Sequence, residues 1–335
     1  MLFIALCLLF SCDSSTPEAD VIPSGERYDS VTNTYYVNSE SGLKKWAEAA
    51  KSDPSTNCVL LSDITLSNPS KDVSNWSPVA KYTGTFDGQY HTITDVSVVI
   101  STNEPGTQDY GFFRSIASGG VIRNLNLENV YVRNLTGNIG AIAGFSSNGT
   151  IENCTASGNV IAGALRAGGI VGDIRSNSSI SNCINECTVT SLLTNPMVGG
   201  IVGNAGNSAI SNCKNFGDLR PDGYLGVYGG GIAGQIRNTK VTSCLNSGSI
   251  LGEDSKYFSD SRYEEFYLGG IVGKASGSSI TDCKVEGCTI EATYNSDYVD
   301  IYSFGSIVGN GEGADSSNTG TATIKKTDLS TSTTT

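Results

Sequence analysis

The stretch Gly199-Gly-Ile-Val-Gly203 decides the fold of this chain, because it recurs along the sequence at a spacing of about 30 residues. Further copies of this glycine-bounded pentad begin at Gly140, Gly168, Gly230, Gly269 and Gly305, and Gly111-Phe-Phe113 is a degenerate first copy. Self-similarity at a fixed period of this length is typical of proteins built from stacked repeats. The sequence therefore predicts a solenoid.

Each pentad is followed by two further short apolar units. The second units are Ile151-Glu-Asn-Cys154, Ile180-Ser-Asn-Cys183, Ile210-Ser-Asn-Cys213, Val241-Thr-Ser-Cys244 and Ile280-Thr-Asp-Cys283. The third units are Gly158-Asn-Val160, Cys187-Thr-Val189, Gly217-Asp-Leu219, Gly248-Ser-Ile250 and Cys288-Thr-Ile290. Units this short, bounded by Gly, Asn or Ser, predict three short strands per repeat and no helix. We therefore expect an all-β fold, a parallel β-helix with three strands per turn and about seven coils over residues 34–310.

The strongest helix signal lies before the first repeat, in residues 41–50. Leu43, Trp46, Ala47 and Ala50 fall at i, i+3, i+4 and i+7, which places them on one helical face. The first coil of a solenoid exposes an apolar end and needs a cap. We expect this amphipathic helix to be that cap.

The composition agrees with many short strands and excludes one class of partner. Forty of the 335 residues are glycine, which is unfavourable in long helices by about 1 kcal/mol per position relative to alanine. The 33 acidic and 21 basic residues give a net charge of −12. Binding to nucleic acid needs a basic face, so nucleic acid is not expected as a partner.

The N-terminus resembles a bacterial lipoprotein signal. Residues 2–10 are an apolar run too short to span a bilayer, and Leu9-Phe10-Ser11-Cys12 resembles the lipobox. The resemblance implies that residues 1–12 are a signal peptide and that Cys12 carries the lipid; an ordinary signal peptide is the alternative. Residues 13–33 are polar and predict a flexible tether. We expect a protein anchored in the cell envelope, on the outer membrane surface rather than its periplasmic face.

Five of the ten cysteines occupy one slot in successive repeats: Cys154, Cys183, Cys213, Cys244 and Cys283. Side chains stacked in one slot point the same way, so neighbouring thiols are not oriented for disulfides. We predict a buried, reduced thiol ladder, with Asn153, Asn182 and Asn212 stacked at the bend just before it. Zinc is the alternative, but the paired CxxC spacing typical of zinc sites is missing. No cofactor is predicted, and calcium stays as the alternative.

Three stretches before the repeats carry a family resemblance. They resemble the opening coils of pectate-lyase-like β-helix proteins and are Val59-Leu-Leu-Ser-Asp-Ile-Thr-Leu66, Trp76-Ser-Pro-Val79 and Tyr82-Thr-Gly-Thr-Phe-Asp-Gly-Gln-Tyr-His-Thr-Ile93. The repeats after them resemble the GLUG motif of bacterial surface and adhesin-type proteins. The resemblance covers roughly residues 35–310. It implies a right-handed parallel β-helix and an adhesive, cell-surface role. It brings no catalytic residues with it.

No catalytic centre is predicted. His91, the single histidine, could pair with Asp87, but no nucleophile accompanies it and a turn histidine is the favoured interpretation. A carbohydrate-active lyase or hydrolase stays as the alternative. It would need two carboxylates facing each other across a groove, or basic residues beside a calcium-binding acidic cluster.

The connections from each third unit to the next pentad vary in length, and the long ones are rich in tyrosine. The candidate ligand-binding residues are Tyr224, Tyr228, Tyr257, Tyr263, Tyr267, Tyr294, Tyr298 and Tyr302. Tyrosine combines a flat apolar face with a hydroxyl, which suits binding of sugars or proteins. We hypothesise that this edge binds a glycan or a host or bacterial surface protein. The alternatives are loops that fold back over the sheet and a structural spacer without a ligand.

Residues 311–335 complete the predicted organisation. They are rich in Gly, Ser and Thr, and residues 321–329 are predicted to form one last strand before a polar tail.

Overall fold

The computed structural model describes residues 25–100, 109–162, 165–192, 195–223, 226–254, 265–294 and 301–328. Within these ranges the chain forms one α-helix, Glu40–Ser52, and short strands that stack into four sheets. We number the sheets 1 to 4 in the order in which one coil passes through them. The result is a solenoid of about eight turns.

One coil shows the path that the others repeat. It passes through Arg166–Gly168 in sheet 1, Val171–Arg175 in sheet 2, Ser179–Ser181 in sheet 3 and Ile184–Leu192 in sheet 4. Each of these strands pairs in parallel with its copy in the next coil. Stacking in register places like residues above one another, so each inward-facing position becomes a column of the core.

The strand bounds follow this path along the chain. Sheet 1 contains Asn138–Gly140, Arg166–Gly168, Met197–Gly199, Val227–Gly230, Glu265–Gly269 and Ile301–Gly305. Sheet 2 contains Phe113–Ile116, Ala143–Ser147, Val171–Arg175, Val202–Gly206, Ala233–Arg237, Val272–Ser276 and Val308–Gly311. Sheet 3 contains Arg27–Asp29, Thr34–Val37, Asn57–Leu60, Thr85–Asp87, Val121–Arg123, Thr150–Glu152, Ser179–Ser181, Ala209–Ser211, Lys240–Thr242 and Ser279–Thr281. Sheet 4 contains Ile64–Thr65, Thr92–Thr94, Ser97–Ile100, Asn126–Asn134, Thr155–Ala162, Ile184–Leu192, Lys214–Asn215, Leu219–Gly223, Leu245–Asn246, Ile250–Asp254, Lys284–Val285, Thr289–Tyr294 and Thr323–Asp328.

The predicted all-β solenoid of stacked parallel strands is confirmed, but the prediction of three strands per turn is wrong. Each repeating coil contributes to four sheets, because the pentad is a corner and not a single strand. At Gly200 and Ile201 the chain turns, so that Met197–Gly199 belongs to sheet 1 and Val202–Gly206 to sheet 2. The sheet 1 strand lies inside the stretch that the sequence analysis treated as a variable connection.

The predicted capping helix is confirmed. Ser39 caps the N-terminus of the helix, and its side chain accepts a hydrogen bond from the Gly42 N–H at 3.0 Å. Trp46 is fully buried, and its indole N–H donates to the Thr56 carbonyl at 3.1 Å. The Trp46 ring packs edge-to-face on Phe86, with 4.9 Å between the centroids. The apolar end of the first coil is thereby covered.

We expect Trp46→Ala to lower the free energy of unfolding by about 3–5 kcal/mol, because it leaves a cavity under the cap. Lys45 is exposed on the opposite side of the helix, so Lys45→Ala should change stability by less than about 0.5 kcal/mol. Urea denaturation measures the stability of both variants. Far-UV circular dichroism is the probe, because its signal does not depend on the tryptophan that one variant lacks. Equal stability of the two variants would contradict the capping role.

A ladder of buried amides, which the sequence analysis missed, runs inside the solenoid beside sheet 4. Asn185, Asn215 and Asn246 are fully buried. The Asn185 amide donates to Asn215 Oδ1 at 2.7 Å, and the Asn215 amide donates to Asn246 Oδ1 at 2.8 Å. Each amide also donates to the carbonyl two residues ahead, at 3.0–3.1 Å. These bonds satisfy polar groups that would otherwise be costly to bury.

We expect Asn215→Ala to lower the free energy of unfolding by about 2–4 kcal/mol, because it removes a rung and leaves partners on both neighbouring coils unsatisfied. Asn159 is exposed on sheet 4 and provides the matched control, Asn159→Ala. The urea midpoints of the two variants measure the difference. A loss of stability in Asn159→Ala as large as in Asn215→Ala would refute the role of the amide ladder.

The five ladder cysteines are buried, and none of the eight cysteines in the described part of the chain is in a disulfide. Cys183 Sγ lies 3.3 Å from the Ser181 carbonyl oxygen, and the same contact recurs in the neighbouring coils. Burial, together with the neighbouring Cys154, raises the pKa of the Cys183 thiol well above its ordinary value. Such thiols are poor nucleophiles in the folded protein.

In the native protein, iodoacetamide should therefore leave peptides containing Cys183, Cys213 and Cys244 unmodified, whereas it should alkylate them in concentrated guanidinium chloride. Peptide mass mapping reads out each position separately. Alkylation of these peptides under native conditions would show that the ladder is accessible.

The asparagines before the ladder cysteines lie at the predicted bend. Asn153, Asn182 and Asn212 adopt the left-handed backbone conformation, with φ of 54°, 54° and 53°. Two of these amides are linked across neighbouring coils, because Asn182 donates to Asn153 Oδ1 at 3.1 Å. Asn153 in turn donates to Asn124 Oδ1 at 3.0 Å.

The N-terminal boundary differs from the prediction. Arg27–Asp29, which falls inside the predicted tether of residues 13–33, forms a strand antiparallel to Thr34–Val37. Aromatic contacts hold it, because the Tyr28 ring packs on Tyr35 with 4.6 Å between the centroids. Residues 1–24, with Cys12, lie outside the described residues. None of the helical segments in the described part of the chain is long and apolar enough to cross a membrane.

The C-terminal segment also contains a strand. Thr323–Asp328 pairs in parallel with Thr289–Tyr294 and lies within residues 321–329, for which the sequence predicts a last strand.

Candidate ligand-binding groove

The corner between sheets 1 and 2 is shaped by glycines that leave no room for a side chain. A Cβ atom on Gly203 would lie 2.7 Å from both the Ala167 nitrogen and the Met197 carbonyl oxygen. A Cβ atom on Gly234 would lie 2.6 Å from the Val198 nitrogen. The backbones of the two sheets therefore touch at the corner, and the outer faces of the sheets turn toward each other. We call the resulting channel along the solenoid the corner groove.

Two rows of outward-facing side chains line the corner groove, one from each sheet. The sheet 1 row is Asn138, Arg166, Met197, Tyr228, Tyr267 and Ser303. The sheet 2 row is Phe145, Asp173, Asn204, Gln235, Lys274 and Asn310. Contacts cross the groove: the Lys274 ammonium lies 5.1 Å from the centroid of the Tyr228 ring.

At one end of the groove, a buried carboxylate organises two arginines. Asp173 is fully buried, and its Oδ2 lies 2.8 Å from Arg175 Nη2 and 3.6 Å from Arg166 Nη1. Its Oδ1 accepts a hydrogen bond from the Asn204 amide at 2.6 Å. Arg166 also donates to Asn138 Oδ1 at 3.2 Å. The cluster fixes the two guanidinium groups while leaving parts of them in contact with solvent.

At the other end, Tyr228, Glu265, Tyr267 and Lys274 form a cluster in which Tyr267 is buried and the other three side chains are partly exposed. Glu265 Oε2 accepts hydrogen bonds from Tyr228 Oη at 2.6 Å and from Lys274 Nζ at 2.5 Å. Burial opposes ionisation of Glu265, but the bonds from Lys274 and Tyr228 prevail and hold its pKa below the ordinary value. Burial, with the Glu265 carboxylate, raises the pKa of Tyr228. The cluster thus presents a neutral phenol and an ion pair at neutral pH.

The eight candidate tyrosines separate into different environments. Tyr228 and Tyr267 share the sheet 1 row, although Tyr267 is only 2% exposed. Tyr294 is 5% exposed and packs on Tyr302, with 4.7 Å between the ring centroids, so it is a core residue and its assignment to a ligand face is corrected. Tyr302 is 43% exposed on the last sheet 1 strand. Tyr224, Tyr257, Tyr263 and Tyr298 lie outside the described residues.

The variable connections all join sheet 4 to sheet 1. In the coil with the longest connection, the sheet 4 strand ends at Asp254 and the sheet 1 strand begins at Glu265. The corresponding strands of the preceding coil are Leu219–Gly223 and Val227–Gly230. Each connection therefore leads directly into a sheet 1 strand, and the longest one is followed at once by Glu265.

The other candidates from the sequence are not assembled into a centre. His91 Nδ1 lies 3.2 Å from Asp63 Oδ1, and not beside Asp87, whose Oδ2 pairs with Arg123 Nε at 2.8 Å. In the ranges that the structure describes, no three His, Cys, Asp or Glu side chains come together in a way that could hold a metal ion.

Sequence analysis did not find the polar residues of the corner groove, although a positional signal exists. Every sheet 2 row residue directly follows the last pentad glycine, and every sheet 1 row residue stands two positions before the first. These positions differ in residue type from coil to coil, so neither composition nor hydrophobic period reveals them. An alignment of the repeats on their pentad glycines, compared position by position, would have revealed them.

Comparisons with known proteins agree with this architecture. The family model of the GLUG motif matches residues 136–161, 194–220 and 265–291. Each match covers one coil from the corner groove to sheet 4, and the coils between them keep the same register. The chain therefore carries GLUG motifs, as the sequence predicts, within a longer array of equivalent coils.

Two similar proteins are informative. Halomucin from Haloquadratum walsbyi is 37% identical over 94 residues, which is 28% of this chain and 1% of that protein. A crystal structure from Bacteroides ovatus, described provisionally as an immunoglobulin A1 protease, matches with a TM-score of 0.58 and 22% identity. That match covers 89% of this chain and 84% of the other. At this identity, the likeness shows the fold alone.

Proposed function

We propose that this GLUG-repeat protein is an adhesin-like binding protein of the cell surface, whose corner groove, together with the connections that lead into sheet 1, holds a glycan or protein ligand. The observation that carries the proposal is the cluster of Tyr228, Glu265 and Lys274 beside the longest connection. The side chains of Glu265 and Lys274 are about one-third exposed, at 32% and 29%. An ordered ring flanked by an ion pair offers stacking and directed hydrogen bonds at low entropic cost.

The proposed location rests on separate observations. The similarity to halomucin and the GLUG motifs support a surface location. The lipobox-like sequence at Cys12 supports a lipid anchor, which would tether the solenoid to the outer membrane. In this proposal the solenoid is a rigid scaffold that holds the groove away from the membrane.

The proposal predicts binding of the full chain to at least one component of an array of glycans and host-matrix proteins. Lys274→Ala and Tyr228→Ala should each weaken that binding by about tenfold or more, because they remove the ion pair or the ring from the groove. Replacement of residues 255–264 by a short turn should abolish it. Lys240 is exposed on sheet 3, so Lys240→Ala removes the same charge elsewhere and should bind as the unmodified protein does.

Three results would overturn this proposal. Failure of the full chain to bind any arrayed component would favour a structural spacer. Binding that all groove variants retain would place the site elsewhere. Cleavage of an arrayed polysaccharide would identify the protein as a carbohydrate-active enzyme. Thermal unfolding of each variant accompanies the assay, since an exposed ion pair contributes at most about 1 kcal/mol to stability.

A further inference from the structure

We propose that a notch in the corner groove, flanked by Arg175 and Arg237 and floored by Gly206, binds the acidic groups of an anionic polysaccharide. We call it the arginine notch. This inference rests on the proposed function and deepens it, because it names the chemical class of the ligand. It involves residues outside the tyrosine cluster, so the two can be tested separately.

The notch exists because a glycine stands between two arginines. Arg175, Gly206 and Arg237 follow one another in the register of three adjacent sheet 2 strands. The two arginines are thus two strand spacings apart, about 10 Å. A Cβ atom on Gly206 would meet no other atom within 4 Å, so the space between the arginines is open. The depression has a volume of about 360 Å³.

The charge in the notch is positive, although the protein as a whole carries a net charge of −12. Arg166, Arg175 and Arg237 bring three guanidinium groups to its lining. The one carboxylate that neutralises them, Asp173, is fully buried behind Arg166 and Arg175. Arg237 is exposed and makes no ion pair with the described residues. A ligand approaching the notch therefore meets guanidinium groups and not the carboxylate.

Two of the arginines are already ordered for binding. Arg175 is held by Asp173 Oδ2 at 2.8 Å and lies over the Phe145 ring, 5.9 Å from its centroid. Arg166 is held by Asn138 and Asp173. Side chains that are fixed before binding lose less entropy when the ligand arrives. Arg237 is the group that remains to be ordered by the ligand.

The lining selects an acidic sugar polymer. A guanidinium group matches carboxylate and sulfate oxygens through paired N–H donors. Asn204 and Gln235 add amide groups to the same lining, and amides bond to sugar hydroxyls. Arg166 of the sheet 1 row belongs to the lining, and Met197 and Tyr228 follow it in that row, so a bound chain can extend from the notch along the groove. A free small anion would leave most of these groups unused.

Isothermal titration of the full chain with three hexasaccharides tests the proposal. Chondroitin sulfate carries sulfate and carboxylate, hyaluronate carries carboxylate alone, and maltohexaose is neutral. We expect binding of at least one acidic probe, weakened by salt, and no binding of maltohexaose. Binding of chondroitin sulfate alone identifies sulfate as the recognised group, and equal binding of hyaluronate identifies carboxylate.

Gly206→Leu and Arg237→Ala should each reduce binding of the acidic probe by about tenfold or more. Gly206 has open space and no left-handed backbone, so the leucine fills the notch without straining the strand. Arg237→Lys should lose most of the affinity as well, since it keeps the charge but not the paired donors. Arg220, exposed on sheet 4 of a neighbouring coil, supplies the control variant Arg220→Ala.

The inference fails if Gly206→Leu and Arg237→Ala bind acidic probes as the unmodified protein does, or if Arg220→Ala loses as much affinity. Tighter binding of poly-glutamate than of either acidic sugar would replace the polysaccharide by an acidic protein. Array ligands lost in Tyr228→Ala but retained in Gly206→Leu would leave the proposed function intact while refuting the notch.

Discussion

The close approach of sheets 1 and 2 at the pentad corner is the constraint on which the rest of the structure depends. Gly203 and Gly234 lie against the backbone of sheet 1, where any side chain would push the sheets apart. Glycine in a strand is unfavourable by about 0.5–1 kcal/mol relative to alanine. Stacked coils offset this penalty, because each corner pairs in parallel with the corners before and after it.

The same corner links the outside of the solenoid to its inside. The second pentad glycine faces inward, and the space beside Gly169, Gly200 and Gly231 is filled by Asn185, Asn215 and Asn246 in the same coils. In the coil with Ala141 at that position, the corresponding inward residue is Ala156. Beside Gly270 it is Val285, whose Cγ2 would lie 2.9 Å from an added Cβ. Each amide of the ladder therefore lies beside a corner glycine of its own coil, because only glycine leaves room for the amide there.

The part of this fold that could be predicted is the part encoded by regularly spaced apolar residues. Stacking, parallel pairing and the cap follow from Ile201 and its counterparts and from the helical spacing of Leu43 and Trp46. The fourth strand was missed because three-residue strands such as Met197–Gly199 carry no apolar period of their own. The amide ladder was missed because a buried asparagine and a turn asparagine look alike in sequence.

The candidate site was less predictable, because its residues share a position and not a type. The concentration of tyrosine drew attention to Tyr228, which lines the corner groove, but the same criterion also selected Tyr294, which belongs to the core. Side chains alternate between the two faces of a strand, so a tyrosine faces in or out according to its position in the strand. That position is known only when the strand boundaries are known.

The corner glycines can be tested most directly by comparing Gly203→Ala with Gly206→Ala, two substitutions in the single strand Val202–Gly206. Urea unfolding should show a loss of about 1–3 kcal/mol for Gly203→Ala, whose methyl group meets the sheet 1 backbone. Gly206→Ala should be neutral or slightly stabilising, since its methyl group meets open space and restricts the unfolded chain. Equal stability of the two variants would contradict the account, because the corner would then tolerate a side chain.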